Sequence, residues 1–280
     1  MSVTTMEVST ESDPGQPLNG LSLKRRSARA GDRSPGFDAT AARRFLDLLQ
    51  TPRTGCVEMR VLRAAVDREG WVRRGDDIGG GFGGSTIAGW FDDGQRLIDE
   101  ARRLRGVSGY VTINPARSDL LARSDNRLTR ARHTTRDDDV LCLRWLYLDI
   151  DPLRPAEISS TDTELRAAIA RRDAILGDHP EFAASGAWGC SGNGAWILVR
   201  LADYPNDSQH AALLVEALAA LDQQYSDNIV RIDTATANPA RLIGLPGTLK
   251  AKGCNRPDRP WRRVSLDGSG TQQFDRLQSG

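Results

Sequence analysis

The stretch WLYLDIDP, residues 145–152, decides how this chain is read. Aromatic, leucine and β-branched residues run up to two acids, the pattern of a buried strand whose last residues carry charge. Alternation along a strand puts Tyr147, Asp149 and Asp151 on one face and Leu146, Leu148 and Ile150 on the other. Two carboxylates therefore share a face, with Cα atoms about 6.6 Å apart. A buried carboxylate without a partner is costly, so such a pair calls for a cation, a basic side chain or solvent at a cleft. From that spacing both acids can converge on one or two hard metal ions that take oxygen ligands. The competing reading is a strand end whose acids cap the next turn or pair with arginine.

Downstream, SSTDTELRAAIARRDAIL is a helix with a capping-box signature in Thr161 and Glu164. WGCSGNG, residues 188–194, is a turn between two strands, the second being the apolar run 195–201. A long helix over residues 207–224 has apolar positions Leu213, Leu214, Leu218 and Leu221. A short strand, 229–233, ends in Asp233, and the loop ANPARLIGLPGTLKAKG leads to a last strand at 261–266. Strands and helices in the order βαββαβ predict a ferredoxin-like (RRM-like) unit.

Upstream the chain alternates between helix and strand. A helix is expected over 41–49, capped by Asp38 or Thr40, then a strand over 56–66 carrying Glu58 and Arg60. The glycine run GDDIGGGFGGST has Gly79 and Gly84 at the separation of a phosphate-binding loop, but Ser85 stands where lysine is required, so a hairpin or mobile loop is expected. A helix over 93–105 and a strand over 107–113 follow. Residues 117–144 hold seven arginines, His133 and the acidic run Asp137, Asp138 and Asp139, either a solvated loop or the phosphate-facing rim of a cleft.

Composition narrows the class. Of 280 residues 39% are hydrophobic and 27% charged, enough for one large domain or two small ones. No apolar run approaches the ~20 residues that span a bilayer, and the polar N-terminus lacks a secretory core, so no membrane partner and a cytoplasmic location are expected. Cys56, Cys142, Cys190 and Cys254 are scattered with no CxxC pair, so neither zinc nor a disulfide framework is expected. A net charge of +1 excludes a globally basic nucleic-acid binder, leaving local patches. Only three of the 38 basic residues are lysine, and Lys250 and Lys252 fall together, where a compact ammonium suits a phosphate contact. Residues 1–35, rich in Ser, Thr, Gly and Pro, and residues 269–280 read as disordered tails.

Over residues 57–266 the chain resembles the archaeo-eukaryotic primase superfamily, specifically the primase-polymerase domains of plasmids and phages. YVTINPARSDLLAR, WLYLDIDPLRP, CSGNGAW, VRIDTATANPARLIGLPGT and KGCNRPDRPWRR carry the resemblance, in the family's order. It implies an α+β fold in which an N-terminal α/β module, 36–139, packs against a ferredoxin-like catalytic module, 140–268, with the active site in the cleft between them. It implies a metal-dependent nucleotidyl transferase that extends a primer or initiating nucleotide on a single-stranded DNA template. Asp149, Asp151 and Asp233 would bind two Mg²⁺ or Mn²⁺ ions. Ser191, Gly192, Asn193 and Gly194, with Arg241, Lys250 and Lys252, would hold the nucleoside triphosphate. A separate replicative helicase is an implied partner, and Arg117, Arg123, Arg127 and Arg136 are candidates for nucleic-acid contact. Two positions depart from the family pattern: Trp196 and Trp261 stand where histidines are usual, and an indole brings no positive charge to a phosphate. Arg200 and His133 are candidate substitutes, Trp196 has the choice of stacking on a base or filling the core, and a degenerate domain that binds without polymerising is the alternative.

Overall fold

The computed structural model describes residues 36–50, 53–78 and 84–270; the expected tail over 1–35, residues 271–280 of the second tail and the glycines at 79–81 and 83 lie outside them. Asp38 caps α1 (Ala39–Leu49) by accepting from the Thr40 and Ala41 backbone N–H groups, donors that a helix start leaves open. Next come β1 (Val57–Val66), β2 (Val72–Arg74), β3 (Ser85–Phe91), α2 (Gly94–Ala101), β4 (Tyr110–Thr112) and β5 (Thr129–Arg130). The central stretch lies in β6 (Cys142–Pro152), followed by α3 (Asp162–Asp178), whose capping box joins Thr161 and Glu164 as their spacing predicts. Then follow α4 (Pro180–Ser185), β7 (Ala187–Cys190), β8 (Ala195–Pro205), α5 (Ser208–Tyr225), β9 (Val230–Ile232), β10 (Leu242–Gly244), β11 (Leu249–Lys250), β12 (Arg262–Arg263) and β13 (Ser265–Ser269).

The result is a mixed α/β fold with antiparallel sheets. The first sheet runs β10-β4-β1-β3-β5, with β2 paired to the end of β1; the second runs β13-β7-β8-β6-β9; β11 and β12 form a small ribbon. β3 goes beyond the sequence expectation, because STIAGWF follows directly on the glycine run and pairs with β1 across a register shift between Val61 and Ala64. α2 stops short of the expected residue 105, since the chain beyond it turns to exchange backbone hydrogen bonds with Val72 at the edge of β2. β10 lies late in the chain yet extends the first sheet through β4, pairing Leu242 with Thr112 and Gly244 with Tyr110.

The alternation of β6 sets where everything else packs. Leu146, Leu148 and Ile150 join Leu214 and Leu218 of α5 and Ala168 and Ile175 of α3 in one core. Trp145 and Tyr147 face the other way, into a core that they share with Phe45 and Leu46 of α1, Met59 and Val61 of β1 and Ile243 of β10. Each fully buried side chain of this size contributes roughly 1.5–3 kcal/mol by leaving water. The apolar face of β6 ends at Tyr147, and the next residue on that face is Asp149. No helix among the described residues is long and apolar enough to cross a membrane.

Candidate functional site

Where the shared core ends, a cavity of about 380 Å³ opens, lined from the second sheet by Tyr147, Asp149, Asp151, Ser191 and Asn193 and from the first by Arg60, Tyr110, Leu242 and Gly244. Arg154, Arg241, Lys250 and Lys252 complete the basic part of its wall. Five cationic side chains thus face two carboxylates in one open cavity.

The two acids are held close against one another and against their surroundings. Burial, then the neighbouring Asp151 carboxylate, pushes the Asp149 carboxyl up to about 7, opposed by Lys250 and Arg241. The same burial, with Asp149 beside it, raises the Tyr147 hydroxyl well above its ordinary range. Asp151 meets the Arg154 guanidinium at 3.4 Å. Burial pulls the Lys250 ammonium down, but Tyr110, Asp149 and Asp151 more than offset it, and Lys250 Nζ donates to the Tyr110 hydroxyl at 3.3 Å. Arg60 is aimed from behind: Glu58, fully buried, takes two hydrogen bonds from it at 2.8 and 2.7 Å and a third from the Thr135 backbone N–H.

The SGNG turn sits where its sequence predicts, against the acids. A methyl group added at Gly194 would lie 2.5 Å from Asp151 Oδ1, so only glycine lets the turn approach this closely. Its backbone donors are used within the turn: Gly192 N–H donates to Cys190 Sγ, and Asn193 and Gly194 N–H donate to Ser191 Oγ. The open donor is a side chain. Asn193 is 1% exposed, its Oδ1 accepts from the Ser160 backbone N–H at 3.1 Å, and its buried Nδ2 has no partner among the described residues. An orphan amide of this kind costs about 1–3 kcal/mol.

Asp233 is near but differently placed. Its backbone N–H donates to Asp149 O at 2.9 Å, yet its carboxylate caps the following turn through Ala235 N–H and meets Arg241 at 3.4 Å. It lines an adjoining cavity of about 270 Å³ with Asp151, Arg154, Arg231 and Lys252 rather than the main one. Among the described residues no three acidic, histidine or cysteine side chains gather closely enough to hold one metal ion.

Trp196 fills the core. It is opposite Asp149 across the β6–β8 ladder, 0% exposed, and packs edge-on to Phe45 with ring centroids 5.7 Å apart. Its β7 partner is Gly189, where a methyl group would come within 2.6 Å of the Trp196 ring. Trp261 donates its indole N–H to Lys252 O, under the Arg74 guanidinium. Arg200 pairs with Asp203 at 2.6 Å and stacks over Trp145, and His133 is exposed; neither lines the cavity. Of the arginines expected to touch nucleic acid, Arg117 and Arg123 pair with Asp139 at 2.9 and 3.7 Å, Arg127 and Arg136 are exposed, and all four lie outside the cavity lining. Tyr110 and Arg154 line it without a signal in the sequence, and Arg60, noted with Glu58 on its strand, joins them in the lining. The signal for Arg60 is an acid and a base two residues apart on one otherwise apolar face of a strand.

No protein-family model matches the chain, and no curated protein matches it significantly. Among solved structures it is similar to a crystal structure of primase RepB' at 13% identity and a TM-score of 0.41, over 84% of this chain and 57% of that one. It is also similar to the polymerase domain of Mycobacterium tuberculosis Ligase D in complex with DNA, at 12% identity and a TM-score of 0.38, over 80% and 79% of the two chains. The chain thus spans little more than half the length of the RepB' structure.

Proposed function

We propose that the main cavity binds a nucleoside triphosphate with a divalent ion and transfers the nucleotide to a 3′-hydroxyl on a single-stranded DNA template, as a primase-polymerase does. The observation that carries this reading is the pair Asp149 and Asp151, set side by side on β6 with Asp149 the more deeply held and the Asp151 side chain half-exposed to the cavity, faced by Arg60, Arg241, Lys250 and Lys252 in one space. Strand order supports it: counted from β6, four strands of the second sheet run 2-3-1-4 with α3 and α5 among the connections, the order of a ferredoxin-like module, to which β13 is added at the β7 edge. We read the wall between the two sheets as the catalytic cleft.

The donor set fits a hard ion. Burial first, and then the repulsion of the neighbouring Asp151, drive Asp149 towards neutrality, and Mg²⁺ or Mn²⁺ would relieve both. When bound, such an ion supplies Lewis-acid polarisation of the α-phosphate and of the attacking hydroxyl. We assign it to Asp149 and Asp151, and Asp233 to a second ion, for which it would have to leave Arg241. Lys250, Lys252 and Arg241 neutralise the triphosphate, Arg60 is pre-aimed by Glu58, and Asn193 Nδ2 donates to a phosphate or sugar oxygen. Ser191, Gly192 and Gly194 act by shaping the turn and its approach to Asp151.

A second reading, a domain that binds nucleotide without joining it, is favoured by one observation: Trp196 is sealed in the core, so its position offers no cation to a phosphate. Incorporation of labelled nucleotides on a primed single-stranded template, with Mg²⁺ or Mn²⁺, separates the two. Product from the wild type that vanishes in Asp149→Ala/Asp151→Ala supports the enzyme. No wild-type product with nucleotide still bound supports the binding module.

A further inference from the structure

On another side the main cavity opens into one of about 330 Å³, a second cavity adjoining it, and the two share Leu62, Tyr110, Lys250 and Lys252 in their linings. Beyond that junction its wall carries Arg63 and Arg74 against a single carboxylate, Glu157. Arg74 is braced: Nη1 donates to Gly253 O at 3.1 Å, and the guanidinium stands 5.9 Å from the centre of the Trp261 ring. Arg63 sits at the β1 irregularity with φ 51°, and Glu157 has φ 58°, two non-glycine residues in the left-handed region facing each other across the mouth. Their charges are 4.0 Å apart with both side chains about four-fifths exposed, a pair that water screens and that contributes little to stability.

We propose that this second cavity is a groove for the sugar-phosphate backbone of a single nucleic-acid strand entering or leaving the main cavity. Unbalanced positive charge selects a polyanion. Continuity with the main cavity selects a chain over a free phosphate, because Leu62, 49% exposed, and the Tyr110 ring give the junction an apolar surface on which sugars and bases can lie. The strand displaces Glu157 from Arg63 on entry, at little cost given the exposure of that pair. Arg117 and Arg123, already engaged by Asp139, line neither cavity. The choice of a nucleic-acid strand rests on the nucleotidyl-transfer reading of the main cavity, and the test below separates the two.

The test is fluorescence anisotropy of a 5′-labelled oligothymidylate on the full chain, titrated at several salt concentrations without nucleotide or metal. Arg63→Asn/Arg74→Gln, with asparagine chosen because it tolerates the left-handed backbone, should weaken binding about tenfold near 0.1 M salt. The slope of log affinity against log salt should flatten by about 1.4, which is ~0.7 for each single-strand phosphate that the variant no longer neutralises. Arg74→Lys should recover most of the slope, and Glu157→Gln should tighten binding two- to threefold. A fluorescent nucleoside triphosphate should bind the double variant within twofold of wild type. Unchanged oligothymidylate affinity in the double variant, or a parallel loss of triphosphate affinity, overturns the groove; the latter would make the cavity part of the triphosphate pocket. A wild-type chain that incorporates no nucleotide while the double variant still loses oligothymidylate affinity keeps the groove and removes the transferase.

Discussion

Asp149, near the end of β6, and Asp233, just past the end of β9, touch through a backbone hydrogen bond and live in opposite circumstances. Asp233 is half-exposed, and its own chain answers its charge through the Ala235 N–H and Arg241. Asp149 is pressed by burial and by Asp151 up to about 7. An acid at a strand end is therefore a poor predictor of function by itself. What distinguishes the two acids is that Asp233 is engaged directly by a backbone donor and Arg241, whereas Lys250 and Arg241 only partly offset the burial of Asp149 and the charge of Asp151 beside it.

The contrast between the two acids can be broken directly. Asp149→Ala/Asp151→Ala should abolish Mn²⁺ binding by calorimetry and lower incorporation at least a thousandfold, about 4 kcal/mol of lost transition-state stabilisation; retained ion binding would remove the distinction altogether. Next in size is Trp196→His, directly across the ladder from Asp149. Because the indole packs against Phe45 and fills the space that Gly189 leaves, the smaller, more polar ring should cost about 2–4 kcal/mol in urea unfolding and give no gain in incorporation.

pH probes Asp149 more gently. With its folded pKa raised to about 7 from an ordinary 3.8, Asp149 keeps a proton that the unfolded chain has already lost between those values. Its contribution to stability is therefore full below about pH 4, declines as pH rises towards 7, and is flat above. Without divalent ions, the melting temperature should fall across that window, and Asp149→Asn should flatten the fall. The smallest effect is expected of Asp233→Asn, which should weaken Mn²⁺ binding less than tenfold; a loss matching that of Asp149→Asn would place the two acids in one ion site.

Much of this was legible in residues. The faces of β6 follow from alternation, the start of α3 from Thr161 and Glu164, the start of α1 from Asp38, and the turn at Gly192 from its glycines. The parts that were not legible depend on distant partners. β10 is three residues between two proline-bearing loops, and only β4, far upstream, makes it a strand. Arg60 is one arginine among many until Glu58 and the cavity give it a direction. Whether Trp196 stacks on a base or fills a core is decided by Phe45 and Gly189, neither of which its neighbours in sequence reveal. The turn was closer to being readable: a serine followed by glycine and asparagine is a known acceptor for its own backbone donors, which removes them from phosphate binding.

The late arrival of β10 has a further consequence, for how the chain is born. α1 is tied to the same late region, since the Asp38 backbone N–H donates to Gly247 O. On the ribosome, strands β1 to β5 emerge first but lack an edge strand, and α1 its anchor, until residues 242–247 are out. At typical synthesis rates this is a wait of roughly ten seconds after β4. During that interval the β4 edge that later takes Leu242 and Gly244 is unpaired, the condition in which a nascent sheet is most open to a chaperone or to the wrong strand.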